Sequence, residues 1–153
     1  MEGALKSLPN RPLDVRDIED VLAIQAECPE IAQWTMWDYD RVARGEMAGW
    51  VGEEKAGEIT GFLVARRVAS DLEILNFAVR PAARRRGVGG ELLGESLRWA
   101  KSFQAQQAFL EVRISNLAAL RFYERHHFLV NSRRPRYYTA PIEDALILSA
   151  ALS

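Results

Sequence analysis

Arg84-Arg85-Arg86-Gly87-Val88-Gly89-Gly90 is the densest grouping of chemically useful residues in this chain. Glycine accepts positive φ and lets a ligand come close to the backbone, and a helix's first turn offers unpaired N–H groups with a dipole that favours anions. With guanidinium groups alongside, the grouping suits a pyrophosphate; its plain structural alternative is a tight strand-to-helix turn. A Walker loop needs Lys then Ser or Thr after its glycine, and a dinucleotide fingerprint needs a third glycine where Leu92 stands, so neither fits. Two carboxylates also stand out. Strand alternation puts Phe109, Glu111 and Arg113 on one face and Leu110, Val112 and Ile114 on the other. Glutamate is disfavoured in mid-strand, so Glu111 either pairs with Arg113 or another arginine, or lines a wet cleft. Glu73, on the strand before the glycine turn, reads from its position as an exposed strand-end charge. Seven residues separate Asn116 from Tyr123, about two helical turns, so both can address one ligand. Asn116 also reads as a helix cap, and Tyr123 as a proton donor or as core packing, with Phe122 the better core candidate.

These residues need elements to hold them. A first strand is expected to end near 13–15, and acidic residues ahead of Ile18, Val21, Leu22 and Ala26 mark a helix. A looser helix covers 37–45. Strands at 49–53, 58–67 and 72–79, linked by Lys55-Ala56-Gly57 and Ala69-Ser70-Asp71, favour an antiparallel meander. Residues 87–105 read as a helix with Leu92, Leu93, Leu97, Ala100 and Phe103 on one side, and 108–114 as a strand, which implies a parallel crossover. A helix capped by Ser115 or Asn116 runs to about 126, before strands at 128–134 and 145–151. The sum is a mixed α/β sheet.

At 153 residues and 48% hydrophobic content, the chain is sized for one compact domain with a real core. It contains no run of apolar residues long enough to span a membrane, and its opening MEGALKSLPNRP lacks the apolar heart of a secretory signal, so a soluble, cytoplasmic protein is expected. One cysteine, Cys28, and two adjacent histidines, His126 and His127, are too few soft ligands for zinc, and Cys28 is expected to be a buried or half-buried small side chain. Residues 1–58 carry 13 acids against 6 bases and residues 59–153 carry 8 against 14, so a bound polyanion would favour the second segment. Direct nucleic-acid binding would call for a more basic domain.

The R/Q-x-x-G-x-G/A motif of GNAT acetyltransferases is matched by Arg84-Arg85-Arg86-Gly87-Val88-Gly89, behind the strand and proline that usually precede it. FLEVRISNLAALRFYERHHF at 109–128 resembles LEVRxSNxxAxxLYxxxGF of the bacterial ribosomal-protein-alanine acetyltransferases, the RimI branch, and RYYTAPIEDALIL at 136–148 resembles that branch's closing segment. Arg11-Pro12 and Asp17-Ile18 are placed like the family's opening strand and helix. The resemblance implies an α/β GNAT fold, a mixed central sheet flanked by helices, over a single domain at 1–153. It implies acetyl-CoA as co-substrate, no metal, and a monomer or homodimer. It assigns Glu111 as general base and Tyr123 as general acid, with Glu73 as the rival base. Backbone groups of Phe77, Ala78 and Val79 would meet the acetyl group and pantetheine, Asn116 the pantetheine arm, and Arg84, Arg85, Arg86, Gly87, Val88, Gly89 and Gly90 the pyrophosphate. Tyr137 and Tyr138 would line the acceptor groove, although with Arg133, Arg134 and Arg136 they also read as an ordinary basic hairpin. The implied acceptor is a protein's N-terminal α-amine. Small amines, and a non-catalytic acyl-CoA or nucleotide-binding module, are the alternatives; the presence of Glu111 and Tyr123 argues against the second. The pattern's glycine is His127 here, a residue that tolerates left-handed backbone better than most.

Overall fold

Tight turns between apolar strands build the centre of the molecule. In the computed structural model, which describes residues 10–55 and 57–152, β2 (Ala48–Lys55), β3 (Glu58–Val68) and β4 (Asp71–Val79) pair antiparallel in succession, with β1 (Arg11–Pro12) outside β2. Most of the opening segment read for a signal, residues 1–9, and Ala56 of the first turn lie outside the described residues. From β4 the chain passes through a 3-10 turn, Pro81–Ala83, into α3 (Val88–Ser102) and returns as β5 (Gln107–Arg113), parallel to β4. Helix α4 (Leu117–Arg125) leads into the hairpin of β6 (Leu129–Thr139) and β7 (Ile142–Ala151). One seven-stranded mixed sheet results, in the order β1-β2-β3-β4-β5-β7-β6.

Helices α1 (Ile18–Ala26) and α2 (Met36–Ala43) press Val21, Ile24, Tyr39 and Val42 onto Val51, Phe62 and Val64 of one sheet face. On the other face, Leu92, Leu93 and Ala100 of α3 and Tyr123 of α4 pack with Trp50, Leu63, Leu72, Leu110 and Phe128. Gly61 makes the approach of α3 feasible: a Cβ there would sit 3.0 Å from the Ala78 carbonyl oxygen and 3.1 Å from Leu92 Cδ1.

Two irregularities of β4 shape the site. Its register against β3 passes from Val64–Asn76 to Ala65–Ile74, so Leu75 is an extra residue, a bulge that re-aims the rest of the strand. Leu72 and Ile74 belong to the α3 side; beyond the bulge it is Phe77 and Val79 that face that side, while Ala78 packs toward α1 and α2. The bulge is held by buried polar groups: Asn76 Nδ2 donates to the Tyr39 hydroxyl at 3.0 Å and to the Ala32 carbonyl at 3.1 Å, and that hydroxyl donates to Gln25 Oε1 at 2.5 Å. In addition, β4 and β5 pair only at Leu72–Ala108 and Glu73–Phe109. Beyond those pairs the strands part, leaving a wedge open through the sheet.

Several boundaries differ from expectation. β1 stops at Pro12, because Asp14 accepts from the Arg16 N–H at 3.1 Å and caps a 3-10 turn, Val15–Asp17. A capping box of Thr35 and Asp38 starts α2 one residue early, and α3 ends at Ser102, after which Gln104 turns left-handed at φ 62. β6 does not stop at 134 but continues past Pro135, which an edge strand tolerates, with its register broken between Arg134 and Tyr138 and Arg136 at φ 53. His127 is left-handed at φ 72, a conformation histidine tolerates better than most residues, and Cys28 is buried.

Candidate active site

A cleft of about 540 Å³ opens beside the wedge, between the end of β4, the glycine turn and α4. Phe77, Ala78, Val79, Arg84, Arg85, Gly87, Val88, Gly89, Gly90, Asn116 and Tyr123 all line it. Gly87 stands at φ 89 as the residue before α3, a conformation that costs glycine nothing. The helix's first internal bond is Glu91 N–H to the Gly87 carbonyl at 3.0 Å, so the Val88, Gly89 and Gly90 amides have no partner within the helix. These are the donors an oxyanion of a phosphate would use.

The arginines divide. Arg85, at φ 66, lines the cleft with no hydrogen bond or ion pair among the described residues. Arg84 also lines it but is occupied, donating to the Val79 carbonyl at 3.0 Å and to Cys28 Sγ at 3.4 Å, with Glu30 at 3.6 Å. The Arg86 side chain turns away, pairing with Glu54 at 2.9 Å and donating to the Ala82 carbonyl at 2.8 Å, so its guanidinium is not at the cleft and its backbone amide is what it can offer there. Two of the expected backbone groups are also engaged. Phe77 N–H donates to Asn76 Oδ1 at 3.2 Å, and the Val79 carbonyl accepts from Arg84. Asn116 Oδ1 accepts from Ala119 N–H at 3.2 Å and caps α4.

Tyr123 is buried and Phe122 only partly so, the reverse of the sequence reading; Phe122 instead stacks beside Gly89 and His126 on the cleft wall. The Tyr123 ring packs against Phe77, Phe122 and Phe128. Its hydroxyl has no protein partner among the described residues, yet no described side-chain oxygen is both buried and unpartnered, so it reaches the solvent of the cleft. Burial raises its pKa well above the ordinary tyrosine value, which keeps the proton on at neutral pH.

Glu111 lies on the opposite sheet face, because its neighbours Leu110 and Val112 belong to the α3 side. Its carboxylate accepts from Arg134 at 2.8 Å and from the Tyr137 hydroxyl at 3.1 Å. Of the two alternatives, the other arginine is the one that pairs; Arg113 itself binds Glu143 at 3.0 Å, beneath the Tyr138 ring. Tyr137 and Tyr138 contact each other at 5.1 Å, and burial then the Glu111 charge push Tyr138 up to about 12. The Glu111 charge, ahead of burial, also raises Tyr137. Glu73 shares this face and binds Arg66 at 2.8 Å. Neither Glu111 nor the tyrosine pair lines the cleft; they stand across the wedge from it. Arg134 is the other arginine that the sequence left open as a partner for Glu111, whereas sequence reasoning missed Arg121, Arg125 and His126 on the cleft wall. Among the described residues no cluster of metal-ligating side chains occurs, and no helix is long and apolar enough to cross a membrane.

Fold and cleft together define an acyltransferase architecture, and the chain belongs to the Acetyltransferase (GNAT) family, whose model matches residues 15–128. It is an acetyltransferase. A Bacillus subtilis protein, described provisionally as a ribosomal protein bS18-alanine N-acetyltransferase, is 30% identical over 139 residues, 90% of this chain and 91% of its own. The fold is that of the Escherichia coli ribosomal-protein-S18-alanine N-acetyltransferase crystal structure, at a TM-score of 0.79 and 24% identity over 97% of this chain and 95% of that one. It is also that of Arabidopsis thaliana NAA60 in complex with acetyl-CoA, at 0.84 and 19%, over 94% and 97%.

Proposed function

We propose that this chain, as one catalytic domain, transfers acetyl directly from acetyl-CoA to the N-terminal α-amine of a protein. The reading rests on one juxtaposition. A wedge between β4 and β5 has an amide-lined cleft and Tyr123 on one face, and Glu111 with Tyr137 and Tyr138 on the other. The pyrophosphate is held by the Val88, Gly89 and Gly90 amides and Arg85, and the pantetheine arm runs past Asn116 into the wedge beside Phe77, Ala78 and Val79. The acceptor enters from the Glu111 face, where its ammonium competes with Arg134 for the carboxylate.

Glu111 takes one proton from the ammonium directly or through a water, the nitrogen bonds to the thioester carbonyl carbon, and the carbon–sulfur bond breaks as the nitrogen's second surplus proton passes to solvent. Tyr123 gives its proton to the departing thiolate. A carboxylate base favours an α-amine, whose ordinary pKa near 8 lies below the roughly 10.4 of lysine, a difference of about 3 kcal/mol in deprotonation cost. The acceptor named for the Bacillus subtilis and Escherichia coli relatives, a ribosomal-protein alanine, agrees with this class. Initial rates with a peptide beginning in Ala, both substrates varied, test the reading. Intersecting lines are expected for direct transfer; no turnover, or parallel lines from an acyl-enzyme, would overturn it.

A further inference from the structure

The cleft carries more positive charge than a pyrophosphate needs. Arg121 and Arg125 stand one turn apart on α4 and line it together with Arg85 and His126. No hydrogen bond or ion pair engages either guanidinium among the described residues, whereas most arginines elsewhere, from Arg11 to Arg134, have a carboxylate partner. Two like charges at this spacing repel each other and weaken the helix, so their placement calls for an anion. His126 senses the same field: burial, then the charges of Arg125 and His127, lower its pKa.

Position along the cleft says which anion. Asn116, at the start of α4, borders the wedge where the thioester lies. Further along the helix Phe122 abuts Gly89, and one turn on, a Cβ at Gly90 would lie 3.6 Å from His126 Cε1. The Arg121 and Arg125 pair therefore flanks the pyrophosphate turn on the side away from the thioester. Past its pyrophosphate, coenzyme A carries one more phosphate group, the ribose 3′-phosphate, largely a dianion at neutral pH. The pattern LEVRxSNxxAxxLYxxxGF leaves both positions open, so the resemblance assigns neither arginine a role.

We propose that Arg121 and Arg125 bind the 3′-phosphate of coenzyme A and make the enzyme select the 3′-phosphorylated carrier over its dephospho form. The inference rests on the acetyl-CoA reading above. Calorimetric titration of acetyl-CoA and 3′-dephospho-acetyl-CoA against the wild type and an Arg121→Gln/Arg125→Gln variant tests it. The wild type is expected to bind the dephospho form about tenfold or more weakly, the scale of one charge-assisted contact. The variant should bind both forms alike, at the wild type's affinity for the dephospho form, with a ligand-free melting temperature no lower than the wild type's, since the like-charge repulsion is relieved. Equal binding of both forms by the wild type, or full discrimination by the variant, would overturn the proposal and leave the acetyl-CoA reading standing. Failure of the wild type to bind acetyl-CoA at all would overturn both.

Discussion

Replacing Tyr123 by Phe separates chemistry from packing. The ring sits among Phe77, Phe122 and Phe128 at centroid distances of 6.2, 5.3 and 5.3 Å, all of which phenylalanine keeps. The lost hydroxyl has no protein hydrogen bond, so no partner is left unsatisfied, and the stability change should stay within about 1 kcal/mol. For a chain of this size that is a shift of at most about 2–4 °C in melting temperature. As general acid, the same hydroxyl is worth about 10² to 10⁴ in rate, or about 3 to 5 kcal/mol of barrier. Turnover followed by thiol release from acetyl-CoA, beside a thermal melt of the same preparation, gives both quantities. Tyr123→Ala is the contrast, losing roughly 3–5 kcal/mol of stability through the cavity it opens. Should Tyr123→Phe keep turnover within about threefold of wild type, against the general-acid expectation, the hydroxyl is not the acid and Tyr123 is a core residue.

Glu111→Gln is expected to lower turnover by about 10² to 10⁴ at neutral pH, with part of the loss regained at high pH where the amine arrives deprotonated. If Glu73→Gln shows that profile and Glu111→Gln does not, the base is Glu73. Gly89→Val places a side chain whose Cβ would be 3.3 Å from Phe122 Cε1, so Phe122 is pushed toward the cleft and acetyl-CoA affinity should fall while the fold persists; wild-type affinity would refute that role. Acetyl-CoA should raise the melting temperature well beyond any effect of NAD or ATP, and equal shifts would refute the cofactor assignment. Burial works to raise the pKa of Asp17, yet bonds from Arg11 and the Asp14 amide outweigh it, so its pKa lies below the ordinary carboxylate value. That stabilisation is therefore complete above the unfolded pKa of about 4 and disappears as pH falls through the lower folded value. Arg11→Met should cost about 3 kcal/mol at pH 7, and an undiminished difference in strong acid would contradict the linkage.

Local chemistry made the glycine turn, the crossover helix and the Asn116 cap legible in advance, since each depends on residues close together in the chain. The proposed catalytic pair was less so. Glu111 and Tyr123 as residues of interest came from strand alternation and helical spacing, but their roles came only from the family resemblance. Helical periodicity could not decide between the adjacent Phe122 and Tyr123, because the choice depends on the rotation of α4 against β4 and β5. The Leu75 bulge and the parting of β4 from β5 have no local signature. Arg134 reaches Glu111 across a strand register 23 residues away, and Arg86 is drawn off by Glu54 at a separation of 32, contacts that only the folded sheet creates. The strand expected to end at 134 runs on through Pro135, which an outer strand with solvent on its free edge accommodates.

The central claim is that acetyl crosses the wedge to an α-amine held on the Glu111 face. Mass spectrometry of three acceptors under identical conditions tests it most directly: a peptide beginning with Ala, its N-terminally blocked copy containing a lysine, and spermidine, each also with Tyr138→Phe. The account predicts acetyl on the terminal nitrogen of the free peptide, little on the other two, and a weaker KM for the peptide in the variant. Equal acetylation of the blocked peptide or of spermidine would contradict it.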